Sequence, residues 1–240
     1  MGTGENKLSN GLFKEDYTYK DSGCHIISDI PQGITVAKES ITRNYQKLEN
    51  YIRTHQLFFY TFDPIPVPDE PLVAKLMALA AQKANVGPMA AVAGVIADLA
   101  VIDMQKVGCK VAVVEDGGEL SVISDRPIDV ALAAGNEPLS KRFGFRLTEF
   151  PIGVATSSGK FSHAFSFGDA EAVTVFCKDA GLADAAATAV CNVVKGPVEM
   201  GITAGLKQGL SISGVLGVFV LYQGKVGTAG NIPQLIKIDS

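Results

Sequence analysis

Apolar and polar positions repeat along this chain with two different periods, and the changes of period mark out its elements. Residues 16–29 read as short strands around a turn at Asp21, Ser22 and Gly23. From Ile34 the spacing becomes helical. Ile34, Ile41, Tyr45, Leu48 and Ile52 recur at three-, four- or seven-residue intervals, with Lys38, Glu39, Arg43, Lys47 and Glu49 between them. That pattern predicts an amphipathic helix ending near His55. Residues 63–71 hold prolines at 64, 66, 68 and 71, which neither continue a helix nor donate to a strand ladder, so an extended connector is expected. Leu72, Leu76 and Leu79 predict a second amphipathic helix to about Asn85, with Pro71 suited to its first turn.

Val86, Gly87 and Pro88 break that helix. Residues 89–103 are then Ala-rich and apolar nearly all round, which predicts a helix buried on most sides. Beyond Lys110 the period becomes two, or the run is continuously apolar. Strands are expected at 111–114, 120–123, 128–132, 145–150, 153–156, 173–177 and 215–222, with a last short one in the tail. The first two flank residues 115–119, whose Asp-Gly pair signals a hairpin. Helices are expected at 180–194, again Ala-rich, and at 198–207. Tight turns join many adjacent strands. The expected class is therefore α+β with a largely antiparallel sheet rather than a doubly wound parallel one. At 240 residues the chain reads as a single domain, with 1–15 a flexible lead-in and 63–71 an internal Pro-rich loop.

Composition narrows the functional classes. Charged residues are 19% of the chain against 47% apolar, which speaks for a large core and against disorder. A formal net charge of −4 is the wrong sign for a nucleic-acid binder. Residues 1–17 are polar, and the longest apolar run, 88–102, is interrupted by Asp98 and is shorter than a membrane span. A cytoplasmic protein without membrane or nucleic-acid partners is expected. Cys24, Cys109, Cys177 and Cys191 form no CxxC pair and read as buried thiols.

Three segments could carry chemistry. Residues 155–160 (ATSSGK) place hydroxyls and a glycine after a strand, able to offer O–H and N–H donors to a phosphate or to form an ordinary surface turn. In residues 182–189 (LADAAATA), Asp184 and Thr188 lie four apart and share one face of a helix. A carboxylate and a hydroxyl among small apolar neighbours suit a hard cation such as Mg²⁺; the plainer reading is a first-turn acid favoured by the helix dipole. The glycines of the 115–119 hairpin either serve the turn alone or let a ligand approach the backbone. Of the histidines, His55 reads as helix-end surface, His25 as structural, and His163 as the one near other candidate groups. No GxSxG, Walker A or GxGxxG pattern occurs, so hydride transfer and P-loop chemistry lack support.

Together these segments resemble the ApbE-like superfamily, flavin transferases that move FMN from FAD to a protein threonine with Mg²⁺, and more closely a short uncharacterised branch of it. The resemblance covers about residues 37–220. Residues 48–55 (LENYIRTH), 87–94 (GPMAAVAG) and 114–118 (VEDGG) look like the short branch. Residues 153–159 (GVATSSG), the Ser162–His163 pair and 183–189 (ADAAATA) look like motifs shared with the transferases. The resemblance implies a T-fold-related architecture. It further implies a metal site at Asp184, Thr188 and the main-chain carbonyl near Ala90, and a nucleotide-contacting loop at Thr156, Ser157, Ser158 and Gly159. Gly117 and Gly118 would line the site, and Asp184 or His163 would assist deprotonation. Two departures stand out. Ala93 occupies the position of a lysine before the glycine of the buried helix, and residues 164–169 replace an Asp-Pro-x-Thr-Gly loop.

The implied function is Mg²⁺-assisted transfer or hydrolysis of a flavin- or nucleotide-like phosphate compound, with FAD or FMN as substrate or ligand. A protein acceptor and self-association into a homo-oligomer are the further partners considered. The alternatives are a flavin- or nucleotide-binding protein without turnover, and a structural or interaction protein that keeps only the fold.

Overall fold

The computed structural model describes residues 6–8, 10–131, 143–159 and 167–238. The short strand β1 (Asn6–Lys7) pairs with β2 (Phe13–Tyr19), which forms a hairpin with β3 (Ser22–Ser28). Strand β1 and the start of β2 therefore lie inside the stretch expected to be a lead-in. Helix α1 (Pro31–Thr54) begins three residues earlier than its apolar spacing indicates, because Pro31 supplies a first turn that needs no N–H. A short helix not anticipated from sequence, α2 (Gln56–Tyr60), follows at once. Residues 61–71 have no helix or strand before α3 (Leu72–Ala84). A 3₁₀ turn (Pro88–Ala91) then leads into α4 (Val92–Lys106).

The remaining elements are β4 (Ala112–Asp116), β5 (Glu119–Ile123), β6 (Ile128–Ala131), β7 (Phe143–Leu147), β8 (Ile152–Ser157) and β9 (Ala172–Cys177). Helices α5 (Ala180–Val193) and α6 (Val198–Ser211) follow, then β10 (Val215–Tyr222), β11 (Lys225–Gly230) and β12 (Gln234–Lys237). Among the described residues the main sheet has nine strands in the order β1-β2-β3-β4-β5-β8-β9-β10-β11, and a second sheet has the order β12-β7-β6. Every pairing is antiparallel.

This is the expected α+β architecture with one refinement. The segment around 145–150 does not extend the main sheet but forms a separate small one with β6 and the tail strand. The consequence explains the apolar runs. The helices cover one face of the main sheet, where Val114, Ala155, Val175, Val218 and Val220 meet them. The small sheet covers the other face, where Val113, Val154, Phe176, Phe219 and Leu221 pack with Phe145 and Leu147. Strands buried on both faces lose the polar half of their alternation.

The Ala-rich helices α4 and α5 lie inside, as their composition implies. Pro88–Lys106 is long and apolar enough to cross a membrane by length and composition, and 56% of it is buried within the protein. Glycine brings the two helices together. A Cβ on Gly94 would overlap the carbonyl of Ala180, and one on Gly153 of β8 would overlap the backbone of Asp179 and Ala180. Gly94→Ala and Gly153→Ala should each lower the unfolding free energy by about 1–3 kcal/mol, the cost of overpacking a close backbone contact. A reduced urea midpoint checks this.

Candidate functional site

The first turn of a helix leaves its leading N–H groups without intrahelical partners. In α5, Asp179 caps its own helix by accepting from the Leu182 N–H at 2.9 Å. The preceding two amides are taken by a residue of α4: Asp98 accepts from Ala180 N–H at 3.0 Å and from Gly181 N–H at 2.9 Å. The Ser121 hydroxyl donates to the same carboxylate at 2.7 Å. Helix α4 has no cap of its own, its N-cap position being Ala91. Here Asp184 of α5 serves, accepting from the Gly94 N–H at 3.1 Å and from the Ala93 N–H. Each helix thus supplies the carboxylate that completes the other's first turn.

Burial acts on both acids. It pushes Asp98 up to about 6 against the lowering pull of Ser121 and the two amides. It pushes Asp184 up to about 8 despite the Gly94 and Ala93 amides, with the charges of Asp116 and Asp98 adding to the rise. Next to Asp184 lies the hairpin of β4 and β5. Asp116 and Glu119 are register partners across Gly117 and Gly118, whose φ values of 66° and 111° suit glycine. Burial first, then the charges of Asp184 and Asp116, hold Glu119 well above the ordinary carboxylate range. Asp116 is fully buried and is held by the Ser22 hydroxyl and by the Tyr45 hydroxyl, which donates at 2.7 Å. Burial raises Asp116 and these hydroxyls oppose the rise.

Asp184, Glu119 and Asp116 therefore converge without an ion-pair partner among the described residues. Within those residues, no three Asp, Glu, His or Cys groups alone make a cage for a metal ion. The donor set still fits a hard cation that keeps water and substrate oxygens in its shell. It offers carboxylate and hydroxyl oxygens, and the carboxylates repel one another until a positive charge intervenes. Thr188 lies one turn beyond Asp184 on α5 and is half-buried. Ala90 belongs to the 3₁₀ turn leading directly to the amides that Asp184 binds.

The loop residues separate according to strand alternation. Gly153 abuts Ala180, while Gly159 abuts Gly168, which in turn abuts Cys191, so β8 runs alongside α5 from its first turn to its last. On the helix side, Ser157 is buried and its hydroxyl has no hydrogen-bond partner among the described residues. On the opposite side, Thr156 lies 2.9 Å from the Thr174 hydroxyl. Thr156 and Gly118 line a cavity of about 410 Å³ between the two sheets. Ser158 and Gly159 both bond the carbonyl of Ala170, and Gly117 is exposed at the turn. His163 lies outside the described residues.

Sequence reading missed Asp98, Asp116 and Glu119 as individual residues. Two signals were available. A lone carboxylate on an otherwise apolar helix must find donors once buried. In addition, Asp-Gly-Gly-Glu in a two-residue hairpin makes its acids direct cross-strand neighbours, an arrangement that is unfavourable without compensation.

A family model described as AbpE bacteria matches residues 19–213. A protein named UPF0280 protein from Methanococcus vannielii is 40% identical over 233 residues, covering 95% of this chain and 94% of the relative. Another, from Methanocaldococcus jannaschii, is 38% identical over 233 residues with the same coverage. Among solved structures, the apo form of the flavinyl transferase ApbE of Pseudomonas stutzeri superposes with a TM-score of 0.59 at 16% identity, over 91% of this chain and 94% of that one. The ApbE protein of Thermotoga maritima gives 0.63 at 13%, over 91% and 97%. At these identities the shared property is the fold.

The raised acids make a testable pH dependence. Between the ordinary value of 3.8 and about 8, folded Asp184 keeps a proton that the unfolded chain releases. Stability falls as pH rises through that window and the loss is complete above it. Asp98 acts in the same sense, with its window closing near 6. The urea midpoint should therefore be lower at pH 9 than at pH 6. Asp184→Asn, whose amide oxygen still accepts from Gly94, should remove most of that difference.

Proposed function

The chain belongs to the AbpE bacteria family, and from that premise we propose that it is a Mg²⁺-assisted transferase acting on a flavin nucleotide, with FAD as donor substrate. The observation that carries the reading is the convergence of Asp184 and Glu119, two half-buried carboxylates with no cationic side chain paired to them among the described residues, beside a two-glycine hairpin turn. Relatives in fold bear the name flavinyl transferase, and the family match covers most of the chain.

In this reading Asp184, the Thr188 hydroxyl and the main-chain carbonyl of Ala90 hold the cation. Bound there, Mg²⁺ supplies positive charge to the pyrophosphate oxygens. The chain's own groups do the rest. Ser157 offers a buried hydroxyl with no other partner among the described residues, available to donate to a phosphate oxygen. Gly117 and Gly118 keep the hairpin backbone open to close approach. Glu119, held by burial well above the ordinary carboxylate range, accepts the proton of an acceptor hydroxyl. The hydroxyl oxygen forms a new phosphoester bond to FMN as the pyrophosphate P–O bond breaks and AMP leaves. His163 is a further proposed proton carrier, and the acceptor hydroxyl belongs to a protein threonine.

Ala93 favours a second reading, binding without turnover. Where the transferases it resembles carry a lysine, this position contributes only its amide, and that amide is bound to Asp184.

Incubation with FAD, Mg²⁺ and a threonine-bearing acceptor protein should produce FMN-labelled acceptor and AMP, and EDTA should stop it. Asp184→Asn and Glu119→Gln should each slow transfer by about a hundredfold or more, the scale of losing one electrostatic contact to developing charge. Tight FAD binding with no AMP released would select the binder instead.

A further inference from the structure

The face of the main sheet turned away from these carboxylates carries a second group of titratable side chains. Antiparallel register sets Asp16 opposite His25, and His25 opposite Glu115. Cross-strand partners share a face, so three adjacent strands present Asp, His and Glu in one row. His25 Nδ1 lies 2.6 Å from Asp16 Oδ1, and its Nε2 lies 3.6 Å from Glu115 Oε2. Asp16 accepts from the Nδ1–H, which orients the ring and leaves Nε2 on the side of Glu115. A strand histidine expected to be structural thus lines the cavity between the sheets.

The row continues in a different character. Glu115 is followed across the sheet by Leu120 and then Val154. Two residues beyond Val154 on β8, Thr156 pairs with Thr174. Polar groups therefore stand at both ends of an apolar strip. Val113, Leu120 and Val154 form its wall on the main sheet, and Ile128, Val130 and Phe145 face them from the small sheet. Sheets packed face to face stand about 10 Å apart, so a gap between them is slot-shaped. Its volume of about 410 Å³ falls within the range of roughly 300–1,000 Å³ typical of small-molecule sites. Apolar walls with hydrogen-bonding ends complement a flat ring, which has apolar faces and a polar edge.

We propose that this slot binds a planar heteroaromatic ring, with His25 Nε2 and the Glu115 carboxylate reading one edge and the Thr156 and Thr174 hydroxyls the other. The assignment rests on the flavin-nucleotide reading only for the ring's parent compound, a flavin or an adenine. Ring binding is a separate event from phosphate transfer.

The test uses the full chain in EDTA with riboflavin and with adenosine, two ring compounds without phosphate. Riboflavin is followed by fluorescence and adenosine by equilibrium dialysis. One of the two should bind saturably at one site, and which one binds identifies the parent compound. His25→Leu and Glu115→Gln should each weaken it about tenfold, roughly one hydrogen bond to a charged or strongly polar group. Ile128→Trp, which fills the slot from the small sheet, should abolish it, with an unchanged circular dichroism spectrum showing that the variant has folded. Failure of both compounds to bind the parent chain would overturn the assignment, as would binding that survives His25→Leu and Ile128→Trp. Either result leaves FMN transfer untouched. Conversely, loss of transfer with ring binding intact rejects the transfer alone.

Discussion

The architecture turns on the exchange of carboxylates between α4 and α5. Two helices apolar enough to sit in the core must still satisfy the N–H groups of their first turns, and Gly94, Ala180 and Gly181 are buried. Asp98 and Asp184 solve the problem reciprocally, each donated by the helix whose partner it completes. A buried donor left without a partner costs about 1–3 kcal/mol, so both first turns depend on these acids. The crossing is therefore both a packing contact and an electrostatic one. It also fixes where the Asp184 carboxylate can be, since Asp184 cannot move without releasing the start of α4.

Around that crossing, the main sheet divides the chemistry into two compartments. The helix side holds the carboxylates, the buried Ser157 hydroxyl and the start of α4. The small-sheet side holds the slot with His25, Glu115 and the threonine pair. Alternation along single strands sends neighbouring residues to different compartments: Thr156 and Ser157 on β8, and Glu115 and Asp116 on β4. A loop that reads in sequence as one ligand-contacting segment is, in space, two surfaces.

Much of the fold was legible because period and composition speak directly to burial. The amphipathic spacing of α1 and α3, the all-round apolar character of α4 and α5, and the Asp-Gly hairpin each carry a local physical signal. The small sheet was not legible. Phe145 and Leu147 look like any buried strand residues, and only the tertiary pairing of Phe145 with Leu235 of the tail and Val130, and of Leu147 with Ile128, makes them a second layer. For the candidate site, the helical spacing of Asp184 and Thr188, the hydroxyl loop and the glycine hairpin could all be read from sequence, and the resemblance added the roles they would play. The partners of Asp184 could not be, since Gly94 is ninety positions away along the chain. His25 was passed over for a similar reason: its neighbours Asp16 and Glu115 become a row only through register.

The alternation at the β4–β5 hairpin bears on how this chain could be altered. Glu115 belongs to the slot and Asp116 to the helix side, with a single peptide bond between them. Inserting or deleting one residue in β4 would rotate every side chain beyond it to the opposite face. Asp116 would lose Tyr45 and Ser22 and enter the slot, while Glu115 would be driven into the helix layer. Both compartments would fail together from one change in length. Substitution can vary the two surfaces independently, but grafting a longer or shorter hairpin cannot, so loop exchange here is confined to hairpins of the same two-residue length.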